Sequence, residues 1–376
     1  MGCKINNLYY LNTNSIINAV ITRELKLKRN KKLDRMISTY LWHLTGLYNW
    51  TIKTIAMRKD AGLEYSAFDI INLINGHSQK CGISSRAIHG TILQAFNAWE
   101  RCWKKLGGTP RFKGMRNKLN SFQFPGDCKL DRENARIRLP VLGWIKFCKD
   151  VLPEGKIAST VRVVKRASGL YAIVVFKDAE HQQVVIKTNK VIGIDTGFKH
   201  LLTLSDGVKY QSPKELLKSA AKLAKNQRGL SKKKTARIQE KIARQRKDRN
   251  HKISNELVRN YKEIYITDDN LKGISGRFGK SVASAGISQL RQFILYKGNS
   301  CGRVVKLVES KYTTKTCSGC GSLTGPTGLD MLNVRDWVCA DCGISHDRDV
   351  NAARNILRLG QRYCLDMQKK TGRICA

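Results

Sequence analysis

Two cysteine pairs constrain this chain more tightly than any other feature. Cys317-Ser-Gly-Cys320 is followed, after eighteen residues, by Cys339-Ala-Asp-Cys342. Each CxxC knuckle turns two thiolates toward one point, and two knuckles complete a tetrahedron around zinc. Gly321 and Gly343 follow the second cysteine of each pair, where the chain must turn tightly. A redox CxxC would need a single pair in a thioredoxin-like setting, so the spacing points to a zinc ribbon. Four cysteine ligands leave no open coordination position, and this zinc is expected to fold the segment rather than to catalyse.

Charge narrows the partners. Lys and Arg number 69 against 29 Asp and Glu, a formal net charge of +40 over 376 residues. Such self-repulsion strains a compact fold unless a polyanion neutralises it, and nucleic acid does so by releasing condensed counterions. A merely solvated cationic surface is the bland alternative. A membrane role is not expected, because there is no amphipathic anchor and no apolar run of about 18 residues. The first residues, MGCKINNLYYLN, carry no basic stretch leading into an apolar one. The 12 cysteines are therefore expected in a reducing compartment.

Periodicity predicts a helix over 33–58 and a second after Ser84 and Ser85, with Ile88, Ile92, Phe96, Trp99 and Trp103 on one packing stripe. The loop GGTPRFKGMRNK (107–118) follows, and its Arg111 and Lys113 are better placed to meet phosphate than to pack. Strands are expected at 157–165 and 169–177, at 183–187, and in a hairpin joining 191–195 to 200–207. Residues 218–252 form a basic helical run containing Lys232, Lys233, Lys234, Arg237, Arg244 and Arg246, the expected nucleic-acid contacts. Beyond it the pattern alternates: strand 263–267, helix 280–297 with Val282 on its apolar side, strand 303–309, the ribbon, and helix 349–359.

Three carboxylates fall where strand ends and a helix start could converge. Asp195 ends an apolar strand, Glu309 ends another, and Asp349 opens the helix DVNAARNIL. Such acids could hold divalent ions about 3.5–4 Å apart for phosphodiester hydrolysis, and Mg²⁺ suits hard oxygen ligands. Singly, Asp349 also reads as a helix cap and Asp195 as a turn residue. Asp349 is preferred over Asp347 because it occupies the DxNAA position.

IGIDTGFKHLLTLSDG, TCSGCG…WVCADCG…HDRDVNAARNIL, RKDRNHKISNELV and TPRFKG together resemble the TnpB family. These are transposon-encoded relatives of the type V CRISPR effectors. The resemblance covers most of 84–360 and is loose over 1–83. It implies an α/β multi-domain fold with a β-barrel wedge domain (1–30 and 118–190) and an inserted helical recognition lobe (31–117). It further implies an RNase H-like (RuvC) nuclease domain (191–312 and 344–376) with an inserted zinc ribbon (313–343). The activity it implies is RNA-guided DNA cleavage, using a guide RNA from the protein's own transposon end and a double-stranded DNA target beside a short motif. The metals would be structural zinc and catalytic magnesium, in the cytoplasm of a bacterium or the nucleus of a eukaryote.

The sequence departs from the family at the second RuvC motif, EIYITDDNLKGI, where Thr267, Asp268 and Asp269 stand around the position of the usual glutamate and no Glu is present. VVKLVESKYTTKTCS resembles a subgroup in which that glutamate has moved to the neighbouring strand, here Glu309. Asp268 or Asp269 could substitute instead. A nuclease-inactive, RNA-guided DNA-binding repressor is the alternative function, and a strand-transferring transposase a further one.

Overall fold

A computed structural model describes residues 19–63, 66–114, 117–179, 188–212, 215–269, 279, 285–326, 331 and 333–371. The predicted strand 183–187 and the first turn of the predicted helix 280–297, with Val282, lie outside the described residues. The chain divides into two compact units, residues 1–181 and 182–376.

The first unit joins helices and strands through one apolar core. β1 (Ala19–Lys26) leads into α1 (Lys31–Asp60), α2 (Ala67–Asn72), α3 (His77–Cys81) and α4 (Ser85–Trp103). Then come β2 (Ser121–Pro125), the short meander β3–β5 (Lys129–Asp131, Arg136–Leu139, Gly143–Lys146), and the hairpin β6 (Lys156–Arg166) with β7 (Gly169–Ala179). α1 begins where Asn30 caps the Leu33 N–H at 2.7 Å, and its Ile37, Leu41, Leu44, Tyr48 and Ile55 are buried at helical spacing. α4 presses on β2 at Gly90, where a Cβ would stand 2.8 Å from the Gln123 carbonyl oxygen.

The expected closed barrel is not found among the described residues. The main sheet has the order β1-β7-β6-β2, so β1 and β2 remain its edges, and the β3–β5 meander forms a sheet of its own. Four strands are too few to close on themselves at the tilt a barrel needs. The meander's three- and four-residue strands reach the main sheet through a single bridge, Leu27 to Phe147.

The second unit is built on a five-stranded sheet of order β10-β9-β8-β11-β12. β8 (Val191–Thr196) turns back into β9 (His200–Leu204) and β10 (Lys209–Gln211). The basic run forms two helices, α5 (Glu215–Arg228) and α6 (Lys232–Asn260), broken at exposed Leu230, which adopts φ 50°. β11 (Glu263–Thr267) lies parallel to β8, and α7 (Ile287–Ser300) crosses over to β12 (Val304–Val308), parallel to β11. The hairpin β13 (Asp336–Val338) and β14 (Ser345–Asp347) then feeds directly into α8 (Arg348–Thr371). Side-chain alternation sends Ile192, Ile194, Ile264, Ile266 and Val305 to one face, against Leu257 of α6 and Leu290 and Ile294 of α7. Val191, Tyr265 and Val304 face the other way, against Ile356, Leu357 and Cys364 of α8. No described helix is long and apolar enough to cross a membrane.

Candidate active site and metal centre

The four ribbon cysteines come together as their spacing predicts. Their sulfurs all lie within 4.8 Å of one another, with Cys317–Cys342 and Cys320–Cys339 both at 3.7 Å. Zinc–sulfur bonds of about 2.3 Å in a tetrahedron require sulfurs about 3.8 Å apart, so the cluster fits a metal such as zinc. Gly321 and Gly343 adopt φ of 87° and 71°, the left-handed turns the knuckles need. Hydroxyls of Ser322 and Thr324 pull the Cys339 thiol down to about 5, which favours the thiolate. Buried His346 lies 3.0 Å from the Cys317 sulfur through Nε2 and packs its ring against Trp337.

The acidic centre is assembled by a close crossing of main chains. α8 passes over β8 at Gly193, where a Cβ would stand 2.2 Å from the Ala353 carbonyl oxygen and 2.7 Å from Leu357. Two residues along β8 from Gly193 is Asp195, and one helical turn back from Ala353 is Asp349. Both steps measure about 6 Å, and Asp349 stands near enough for its charge to act on the Asp195 carboxyl. Asp347 is the residue that caps the helix: its Oδ1 accepts from the Asp349 and Val350 N–H groups at 3.1 and 2.9 Å. Burial would raise the Asp347 carboxyl, but Lys209 and those amides outweigh it and hold the carboxyl low. Asp349 is thereby released from capping, and Arg335 holds it at 3.1 and 3.2 Å.

Burial, then Asp269, then Asp349 drive the Asp195 carboxyl well above the usual carboxylate range. A site that penalises its own negative charge in this way is one that a divalent cation would relieve. Asp269 is therefore a carboxylate of the centre that sequence reasoning left only as a substitute. It accepts from Thr196 Oγ1 at 2.7 Å and pairs with Arg291 Nη2 at 3.1 Å. The Arg291 side chain is only 9% exposed and also lies 3.6 Å from Asp268. One signal of this was available: Arg291 falls on the apolar stripe of α7, between Ile287 and Ile294, where a cation needs a buried partner.

β11 and β12 lie side by side and parallel, and end at the same sheet edge as β8. Thr267 is fully buried and lies 3.0 Å from the Thr196 hydroxyl, filling the middle-strand position with a neutral group. Glu309 follows β12, exposed, with one strand between it and Asp195. Strand spacing puts their main chains about 10 Å apart, a gap two acidic side chains and bound cations could span.

Among the expected phosphate contacts, Arg111, Lys232, Lys233, Lys234, Arg237 and Arg244 are exposed, and Arg244 pairs with Glu240 at 2.7 Å. Lys113 lies over the Tyr48 ring with its backbone bonded twice to Asn49, and Arg246 packs beneath Gly286.

Residues 174–277 match a family model described as "Probable transposase", and residues 288–356 match "Cas12f1-like, TNB domain". A Streptomyces pristinaespiralis protein named "Putative RNA-guided DNA endonuclease" is 35% identical over 298 residues, 74% of this chain and 72% of that protein. The chain belongs to the TnpB family. An Escherichia coli relative with the same descriptive name is 29% identical over 73% of this chain and 74% of its own length. A "TnpB-like protein" of Acanthamoeba polyphaga mimivirus is 25% identical over 57% of this chain and 47% of its own. Within the TnpB family match, the "Cas12f1-like, TNB domain" model spans the cysteine cluster and Asp349, while the "Probable transposase" model spans Asp195 and Asp269.

Proposed function

We propose that this protein is an RNA-guided DNA endonuclease. The observation that carries the reading is the Gly193–Ala353 crossing, which sets Asp195 and Asp349 together in a centre that burial and mutual repulsion make ready for a divalent cation. The relatives' names supply the substrate class, guide RNA and target DNA, and the +40 charge suits both polyanions. Asp195 and Asp349, with Glu309 or Asp269 as the third acid, would hold Mg²⁺. Magnesium there would supply the positive charge on which phosphodiester hydrolysis depends. Arg291 and Thr196 fix Asp269, Arg335 steadies Asp349, and the exposed lysines opening α6 meet backbone phosphate. The cysteine cluster would hold zinc as a structural ion, with all four ligands supplied by the ribbon.

A second reading has its own observation. Thr267, neutral and buried, stands on the middle strand of the site. It favours a guided DNA-binding protein that occupies its target without cutting. The deciding experiment uses protein copurified with RNA from its native locus, a target plasmid library with a randomised flank, and Mg²⁺. Cleavage beside one enriched flank, lost in Glu309→Ala but retained in Asp269→Asn, establishes the relocated-glutamate nuclease; the reverse pattern assigns the third acid to Asp269. Guide and target binding without cleavage would leave only the second reading.

A further inference from the structure

The helix that begins at the acidic centre also carries the side chains that fasten the zinc knuckle. Asn351 and Asn355 lie one turn apart on α8, each 1% exposed. Asn351 Oδ1 accepts the Ser318 N–H at 2.8 Å, inside the first CxxC, while its Nδ2 donates to the Thr316 carbonyl at 2.8 Å. Asn355 Nδ2 donates to the Thr316 carbonyl at 2.6 Å and to the Thr313 carbonyl at 2.8 Å. Those carbonyls belong to the turn 310–316, which starts beside Glu309 and ends beside Cys317. The turn closes on itself through Thr313 to the Ser310 carbonyl and Thr316 to the Tyr312 carbonyl. Two amides on one helix thus tie the strand end bearing Glu309 and the first knuckle to the helix whose opening turn bears Asp349.

The far side of the ribbon is tied as well. Arg348 N–H donates to the Arg335 carbonyl at 2.7 Å, Arg335 holds Asp349, and His346 meets the Cys317 sulfur within the strand that leads into α8. We propose that Asn351 and Asn355 are positioning residues that couple occupancy of the four-cysteine cluster to the geometry of the acidic centre, so that zinc sets the affinity for the divalent cation. The proposal rests on the cation-binding reading of that centre. The Thr313 and Thr316 carbonyls of the turn and the Ser318 N–H of the knuckle have these amides as partners, so without them the turn is expected to leave the helix and take Glu309 and Cys317 with it.

The test compares full-length wild type, Asn351→Ser and Asn355→Ser, since serine is too short to span the same bonds. Zinc release to a chromogenic chelator is measured alongside Mn²⁺ binding by electron paramagnetic resonance and affinity for the copurifying RNA. Each variant should release zinc faster and bind Mn²⁺ roughly 10- to 100-fold more weakly, with RNA affinity unchanged. Stripping zinc from the wild type should weaken Mn²⁺ binding similarly, and refilling should restore it. Faster zinc loss with unchanged Mn²⁺ affinity, or a zinc-free wild type that binds Mn²⁺ normally, would overturn the coupling. If either variant fails to fold, stripping and refilling the wild type decides alone. A zinc-loaded wild type that binds no Mn²⁺ overturns the cation reading of the acids, and the coupling falls with it.

Discussion

The cysteine cluster and the acidic centre share one unit and both gather ligands, yet their electrostatics are opposite. Thiols can sit neutral, so four sulfurs rest at metal-binding spacing with little mutual repulsion, while the Ser322 and Thr324 hydroxyls ease Cys339 toward the thiolate a metal would take. Carboxylates cannot. Asp349 and Asp269 each hold an arginine, and Asp195 is driven toward its protonated form. The first site is a fold element that a metal would complete. The second stores repulsion that a metal would release, the price of keeping hard anions close together.

The largest test of this contrast removes a buried ribbon ligand. Cys339→Ser should lose zinc and unfold the ribbon, since roughly 10 kcal/mol of binding free energy is folding free energy in such a site; zinc content and circular dichroism report it. Asp195→Ala should spare folding and guide-RNA binding but cut cleavage about 10³-fold, or ~4 kcal/mol, in a plasmid assay. A comparable loss of fold in this variant would break the contrast. Gly193→Ala should destabilise by about 1–3 kcal/mol through overpacking against Ala353 and lower cleavage with it, as thermal melts and rates would show.

The smallest effect has the opposite sign. Asp195→Asn should raise metal-free stability by about 1 kcal/mol at neutral pH, measured by melting in a chelator. The Asp195 carboxyl is raised in the folded state, so the folded protein holds the extra proton between the ordinary carboxylate pKa and the raised one. Stability therefore falls as pH rises through that window. The advantage of the amide should disappear as pH drops toward 4, and an advantage unchanged with pH would remove repulsion as its cause.

Much of this was legible in sequence because it is local or periodic. The cysteine spacing, the apolar runs ending at Asp195 and Glu309, and the helix opening at Asp349 each carry their own signal. Parallel pairing of β11 and β12 agrees with the RNase H-like sheet that the family resemblance implied. The rest depends on tertiary partners. Nothing near Asp269 says that Thr196 and Arg291 converge on it, since they lie 73 and 22 residues away. Barrel closure failed for a related reason: only the β6–β7 hairpin of the main sheet was legible as strands, while β1, β2 and the β3–β5 meander were not. The break at Leu230 was hidden by the uniform basic composition on both sides of it.

The Gly193 crossing has a bearing on engineering. Because main chain meets main chain there, the approach of the two backbones that bear Asp195 and Asp349 is set by a missing Cβ. A deep mutational scan of this unit should show a narrow trough of intolerance at position 193, bordered by apolar positions that accept one another's side chains. Laboratory evolution toward hotter or more compact variants is expected to keep Gly193, as it must the equally crowded Gly298 and Gly360.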